Sequence, residues 1–435
     1  MSINLRQMFA PMVRHGGRYR GELLLIAANY STPLVGLFAS TIAAMSLSPS
    51  EMGAIQSVML LSSYLSMLHL GAFHGLNRNL AFYFGRQDRD TGLRMVYASH
   101  FVARVNALGG VLFGSGLMVW MAVRGKGIVP FGAAVALTGI LYCTPYATHI
   151  STTCRSGQHF GAMGVATLIG NAARIGHAWL PRFLGWLGYI ISLVLEVLIR
   201  LLLFKKIEPY PATDSFRRSD IIELVRVGFP IMLVGYLASL FMIADQSMLA
   251  LFLSAKDLGD YTPARLITVA IMTLPATMSV LFSPKIASRY GACGTAMSLR
   301  RPLWILLGVH LGLLLPVCVA AALVIGPIVR CLMPEYTAGI HAARISALAT
   351  LGMCGNGALI VTTTLRNNRP SLWIYAVSLA LMWAAGFWMA RGGGLTIDRA
   401  ALLRLGVSYV CCAALWVHAY WATRRQGPRD AAAKI

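Results

Sequence analysis

Charge is scarce in this 435-residue chain: Asp, Glu, Lys and Arg together make up 12% of it, against about 25% in a soluble domain. So little charge cannot cover a globular surface, which excludes a soluble protein. Acidic residues are the scarcer sign, 15 against 37 Lys and Arg, for a formal net charge of +22. There is no GxxxxGK[ST], HExxH or GxSxG segment, so the nucleotide, zinc and serine chemistries those motifs carry are not expected. The eight cysteines show no CxxC and mostly lie in apolar runs, where cysteine behaves as a small hydrophobe. Neither a disulfide framework nor a metal site is expected from them. Within the apolar runs the only acids are Glu196 and Asp245, with Glu223 at an edge, so paired carboxylates for acid–base work are missing. No outer loop exceeds about ten residues, which leaves no room for a catalytic domain. No catalytic residue, no cofactor and no enzyme activity is expected.

What is present is apolar sequence: 57% of the chain is hydrophobic and the mean hydropathy is +0.66. Uncharged stretches long enough to cross a bilayer recur throughout, as in Leu23–Ser50, Pro302–Val329 and Leu405–Thr423. An all-α polytopic membrane protein is therefore expected, with about twelve spans near 22–46, 52–76, 95–122, 128–152, 160–180, 183–204, 222–251, 260–283, 302–326, 336–364, 370–390 and 400–421. The basic leader before the first span lacks a small-residue cleavage site, so that span reads as retained. With the N-terminus inside, 23 Lys and Arg fall in cytoplasmic segments and seven in the opposite loops. That asymmetry places both termini in the cytoplasm. It also explains the net charge through orientation, so no nucleic-acid partner is expected.

LSPSEMG at 47–53 recurs as LSAKDLG at 253–259, an offset of 206 residues. The same offset pairs Gly85 with Gly291, Leu93 with Leu299 and Arg94 with Arg300. Six spans separate the copies, and an even number preserves orientation, so two parallel six-helix repeats are expected. The implied organisation is a basic cytoplasmic N-terminus (1–21), a first lobe (22–204), a polar linker (205–221), a second lobe (222–421) and a basic tail (422–435).

Cations inside spans need a reason, because a charge at membrane depth is expensive. From Leu266 to Ser283 the uncharged stretch is 18 residues, roughly 27 Å of helix and short of a core of about 30 Å. The span should therefore begin earlier and carry Arg265 inside the membrane. Asp245 and Arg265 lie equally far from a turn centred near Ala255, so they are expected at one depth and are candidates to pair. Glu196 and Arg200 are four apart and suit an ion pair on one helix face. Arg104 lies ten residues into its span, where snorkelling to the surface is hard. Arg174 and Arg344 admit both a cavity and a snorkelling reading, and Arg78 follows the inner end of the second span. Arg78, Arg104, Arg174, Arg265 and Arg344 are thus the candidate cavity cations, with Asp245 and Glu196 the candidate ion-pair or coupling acids. An interior rich in arginine and poor in acid suits an anion, above all a phosphate or diphosphate, which arginine binds bidentately.

Residues 228–266, GFPIMLVGYLASLFMIADQSMLALFLSAKDLGDYTPARL, resemble the start of the second half of the polysaccharide flippases. Residues 48–88, SPSEMGAIQSVMLLSSYLSMLHLGAFHGLNRNLAFYFGRQD, resemble the start of the first. These are the Wzx-type O-antigen and exopolysaccharide translocases of the multidrug/oligosaccharidyl-lipid/polysaccharide (MOP) exporter superfamily. The resemblance implies a MATE-like fold of two six-helix lobes around a cationic cavity, working by alternating access in a bacterial inner membrane. It implies an undecaprenyl-diphosphate-linked oligosaccharide as cargo, handed on by glycosyltransferases and to a polymerase, and carried by a monomer. The family often shows Asp-Arg where this chain has Asp245–Gln246. A multidrug or cation antiporter of the same superfamily is the alternative, and a membrane polysaccharide polymerase a more distant one.

Overall fold

A computed structural model describes residues 20–157, 159–210, 215–293, 295–365 and 367–425. The basic leader before Arg20 and the tail beyond Arg425, both expected in the cytoplasm, lie outside the described residues. Those residues form fifteen α-helices joined by short turns and 3₁₀ segments: α1 (Arg20–Ser46), α2 (Pro49–Leu65), α3 (Ala72–Gly85), α4 (Arg89–Val123), α5 (Ile128–Ser156), α6 (Phe160–His177), α7 (Leu180–Lys206) and α8 (Arg218–Phe252). There follow α9 (Ala255–Asp260), α10 (Thr262–Cys293), α11 (Arg300–Leu332), α12 (Ile340–Ala349), α13 (Gly355–Thr364), α14 (Arg369–Arg391) and α15 (Ile397–Arg425). Helices cover each of the twelve intervals expected from the sequence. Among the described residues nine are long and apolar enough to cross a membrane, or ten if the pair interrupted before α3 counts as one. Many large apolar side chains are exposed, with Leu112, Phe183 and Trp388 each 74–78% exposed. That is what a bilayer accepts and water does not.

Breaks in these helices have local causes. Leu70 and Gly71 take positive φ, 46° and 83°, between the 3₁₀ turn Ser66–His69 and α3. The second expected span is therefore two helices rather than one. Gly185 adopts φ 55°, ψ −137° inside α7, a geometry only glycine takes readily. Asp88 caps α4, accepting from the Thr91 amide at 3.1 Å. The Thr91 hydroxyl and amide hold its carboxyl below the ordinary carboxylate range.

The chain divides into two compact units, Met1–Ala39 with Leu65–Met232, and Ser40–Tyr64 with Leu233–Ile435. In the first, α4 packs along α5, and α7 packs on α5 and α6. Leu76, Leu80, Met95 and Leu224 form one core there, and Ile150, Met163, Leu201 and Phe204 another. A side chain on Gly71 or Gly75 would strike the backbone of Gly228 or Leu224, so α3 meets α8 backbone to backbone, as small residues permit in membranes. In the second unit, α15 packs on α12 and α14, and α10 on α12 and α13, around Phe241, Met248, Leu303, Met382 and Leu415.

The repeated heptapeptides are both in the second unit, and each builds the same device. Ser48 and Glu51 form reciprocal bonds at 3.0 and 3.4 Å, and Ser254 and Asp257 do so at 3.0 and 3.2 Å. Both are capping boxes, which satisfy the free amides that open a helix. The two turns also pack against each other reciprocally. A Cβ on Gly53 would land on the Ala255 carbonyl, and one on Gly259 on the Pro49 carbonyl. Gln56 Nε2 donates to Thr262 Oγ1 at 3.0 Å. Gln56 and Thr262 are 206 residues apart, and the same offset exchanges the two glycine contacts, Gly53 with Gly259 and Pro49 with Ala255, so the contact is isologous.

Candidate functional site

Each unit holds charge inside its helices. In the first unit, Asn171 of α6 ties that helix to α1: its Nδ2 donates to Ser31 Oγ at 2.8 Å and to Thr32 Oγ1 at 3.0 Å. One turn further along α6, Arg174 lies against Gly36 of α1, where a methyl group would sit 3.3 Å from its Nη1. Arg174 Nη1 meets Glu196 Oε1 of α7 at 2.8 Å. Thr32, Asn171, Arg174, Glu196 and Arg200 line a cavity of about 40 Å³, room for a few waters.

The close ion pair expected between Glu196 and Arg200 is made by Arg174 instead, with Arg200 still near enough to Glu196 to interact with its charge. Arg174 reaches Glu196 from the facing helix, while the Arg200 guanidinium lies over the Phe204 ring, 5.4 Å from its centroid. Arg174 Nε is buried and, among the described residues, has no hydrogen-bond partner.

In the second unit Asp245 is fully enclosed. Its Oδ2 accepts from Arg404 Nη1 at 2.8 Å and from the Tyr261 hydroxyl at 2.7 Å. Its Oδ1 accepts from the Gln246 amide at 2.8 Å. Ser346 of α12 stands 3.2 Å from the same hydroxyl. Helices α8, α12 and α15 thus converge, with the junction of α9 and α10, on one carboxylate.

The expected partner of Asp245 was Arg265, and the structure corrects it to Arg404. The chain turns at Leu253 and Ser254, earlier than Ala255, so Tyr261 rather than Arg265 stands level with Asp245. Arg265 follows one turn further along α10, roughly 6 Å away. Its Nε and Nη2 are buried and, among the described residues, have no hydrogen-bond partner.

Arg404 and Tyr261 went unremarked in the sequence. Arg404 sits one turn inside the last span and reads as an edge residue, and Tyr261 as a turn residue. The available signal was that a lone buried acid demands a buried cation. Of the remaining candidates, Arg78 on α3 and Arg104 on α4 are exposed in the first unit. Arg344 on α12 is exposed in the second and lies across Gly326 of α11, with Nη2 2.9 Å from where a methyl group would sit.

Residues 162–286, a stretch that contains Arg174, Glu196, Asp245 and Arg265, match a family described as "Polysaccharide biosynthesis protein". No curated protein matches the sequence. Among solved structures, an inward-facing multidrug-resistance MATE transporter of the MOP superfamily superposes with a TM-score of 0.72 at 14% identity, over 92% of this chain and 95% of that one. The fold is that of the MOP superfamily. An outward-facing MATE transporter of the same superfamily aligns with this MOP-fold chain at a TM-score of 0.64 and 15% identity, over 95% of each chain. A MOP transporter from Pyrococcus furiosus aligns at 0.64 and 14% identity, over 93% and 95%; it is described as having a binding pocket of reversed polarity that suggests a different function. The structural neighbours are described as transporters.

Proposed function

We propose that this MOP-fold protein is a flippase for a lipid-linked oligosaccharide. It would move an undecaprenyl-diphosphate-linked glycan from the cytoplasmic to the periplasmic leaflet of a bacterial inner membrane. Transport would proceed by alternating access of two six-helix lobes, 22–204 and 222–421, with both termini in the cytoplasm. The observation that carries the reading is Arg265, whose buried Nε and Nη2 have no hydrogen-bond partner among the described residues. A guanidinium at membrane depth costs roughly 2.5–3.5 kcal/mol, and a diphosphate is the ligand that would offset it bidentately. The match to a polysaccharide-biosynthesis family supports the same cargo. The two acids inside the spans are already engaged, Asp245 by Arg404 and Glu196 by Arg174.

Arg265→Ala is expected to reduce surface polysaccharide at least tenfold at normal membrane abundance, with partial rescue by Arg265→Lys. Wild-type export in Arg265→Ala cells would overturn the mechanism. A multidrug or cation antiporter is the second reading, favoured by the fold of the MATE transporters. Increased drug susceptibility of a deletion strain with normal polysaccharide would select it.

A further inference from the structure

In the second unit, α10 and α13 border an open cavity of about 500 Å³, within the size range of small-molecule sites. Its polar lining is Ser279 and Ser283 from α10 and Asn356, Thr363 and Thr364 from α13, with no charged or aromatic residue among the described residues. The spacings are helical: 279 and 283 are four apart and share a face of α10, and 356 and 363 are two turns apart on one face of α13.

Three of the four hydroxyls are polarised in one sense. Ser279 Oγ donates to the Pro275 carbonyl at 2.9 Å, Thr363 Oγ1 to Leu359 at 2.6 Å and Thr364 Oγ1 to Ile360 at 2.8 Å. Their hydrogens are spent on their own helices, so what each can offer the cavity is an oxygen that accepts. Asn356 adds an amide with two donors and an acceptor. Such a wall suits a ligand that presents many hydroxyl donors and no charge. A diphosphate, being acceptor-only, would find few donors there, and a cation would find no carboxylate. An amide facing lipid tails would be costly, so Asn356 fits a wall that meets water or a polar ligand.

We propose that this wall of α10 and α13 is a subsite for an uncharged sugar. The inference rests on the flippase reading and assigns the glycan of the cargo to the wall, away from the arginine that would hold the diphosphate.

The test uses the full-length protein in nanodiscs, titrated by native mass spectrometry with two probes. One is undecaprenyl diphosphate; the other is the same lipid carrying an N-acetylhexosamine disaccharide. The wild type is expected to hold the sugar-bearing lipid about tenfold more tightly, the worth of one or two hydrogen bonds. The double variant Asn356→Leu/Thr363→Val should lose that preference and keep its affinity for undecaprenyl diphosphate, which also reports correct folding. Arg265→Ala should weaken both probes equally. A preference that survives the double variant, or one absent from the wild type, overturns the subsite and leaves the flippase reading standing. Binding of neither probe overturns the flippase reading and the subsite with it.

Discussion

Two arginines of this chain hold buried guanidinium nitrogens for opposite reasons, and their removal should have opposite effects. Arg404 neutralises an enclosed carboxylate at 2.8 Å. Arg404→Leu leaves Asp245 uncompensated and is expected to destabilise the protein by roughly 3–5 kcal/mol, whereas Asp245→Leu/Arg404→Leu should recover most of that loss. Arg265 has no ion-pair partner among the described residues, so Arg265→Ala should leave thermal stability in detergent unchanged or raise it. Unfolding midpoints for the three variants check the contrast; equal losses from Arg404→Leu and Arg265→Ala would show that both arginines are structural. The presence of misplaced cations was legible from hydropathy alone. Which cation served which acid was not, because the turn at Leu253 sets the register of the following helix. A displacement of four residues in sequence exchanged Arg265 for Tyr261 beside Asp245. Arg404 lies 159 residues from its partner, and no local pattern encodes that distance.

The elements were read more securely than their contacts. Apolar runs marked the helices, and the 206-residue offset marked the repeated turn. The break at Leu70–Gly71 was not legible, because LHLGAFHG reads as continuous span and Leu70 gives no hint of positive φ. The offset did foretell a shared local structure, and both copies are capping boxes. It did not foretell that the copies touch. Gly53 and Gly259 each face a carbonyl of the other turn, so neither site has room for a side chain. Gly53→Val and Gly259→Val are each expected to abolish export and lower the unfolding midpoint. Gly109→Val on α4, where the space beside the backbone is open, should have little effect. Parallel measurement of the three variants tests the packing, and wild-type behaviour of Gly53→Val would refute it.

At the scale of the whole molecule the charge distribution makes a prediction about sidedness. In the orientation expected from the lysine and arginine count, Cys293 follows the inner half of its span and Cys331 the outer half of the next. Both thiols are exposed, whereas Cys143, Cys154, Cys318, Cys354 and Cys411 are buried. In intact spheroplasts a membrane-impermeant maleimide should label Cys331 readily and Cys293 only after permeabilisation. The reverse pattern would invert the orientation drawn from the lysine and arginine count. The all-helical membrane architecture was legible because hydropathy acts on every residue, while sidedness rests on a few charges in short loops. The paired turns also constrain how the protein is made. When the ribosome finishes Gly53, the carbonyl it must pack against is still about 200 residues away, roughly 10–40 s of synthesis. During that interval the first turn waits in the membrane with its close-packing surface uncovered. A nascent chain stalled before residue 253 should therefore expose Gly53 to proteases that the finished protein resists.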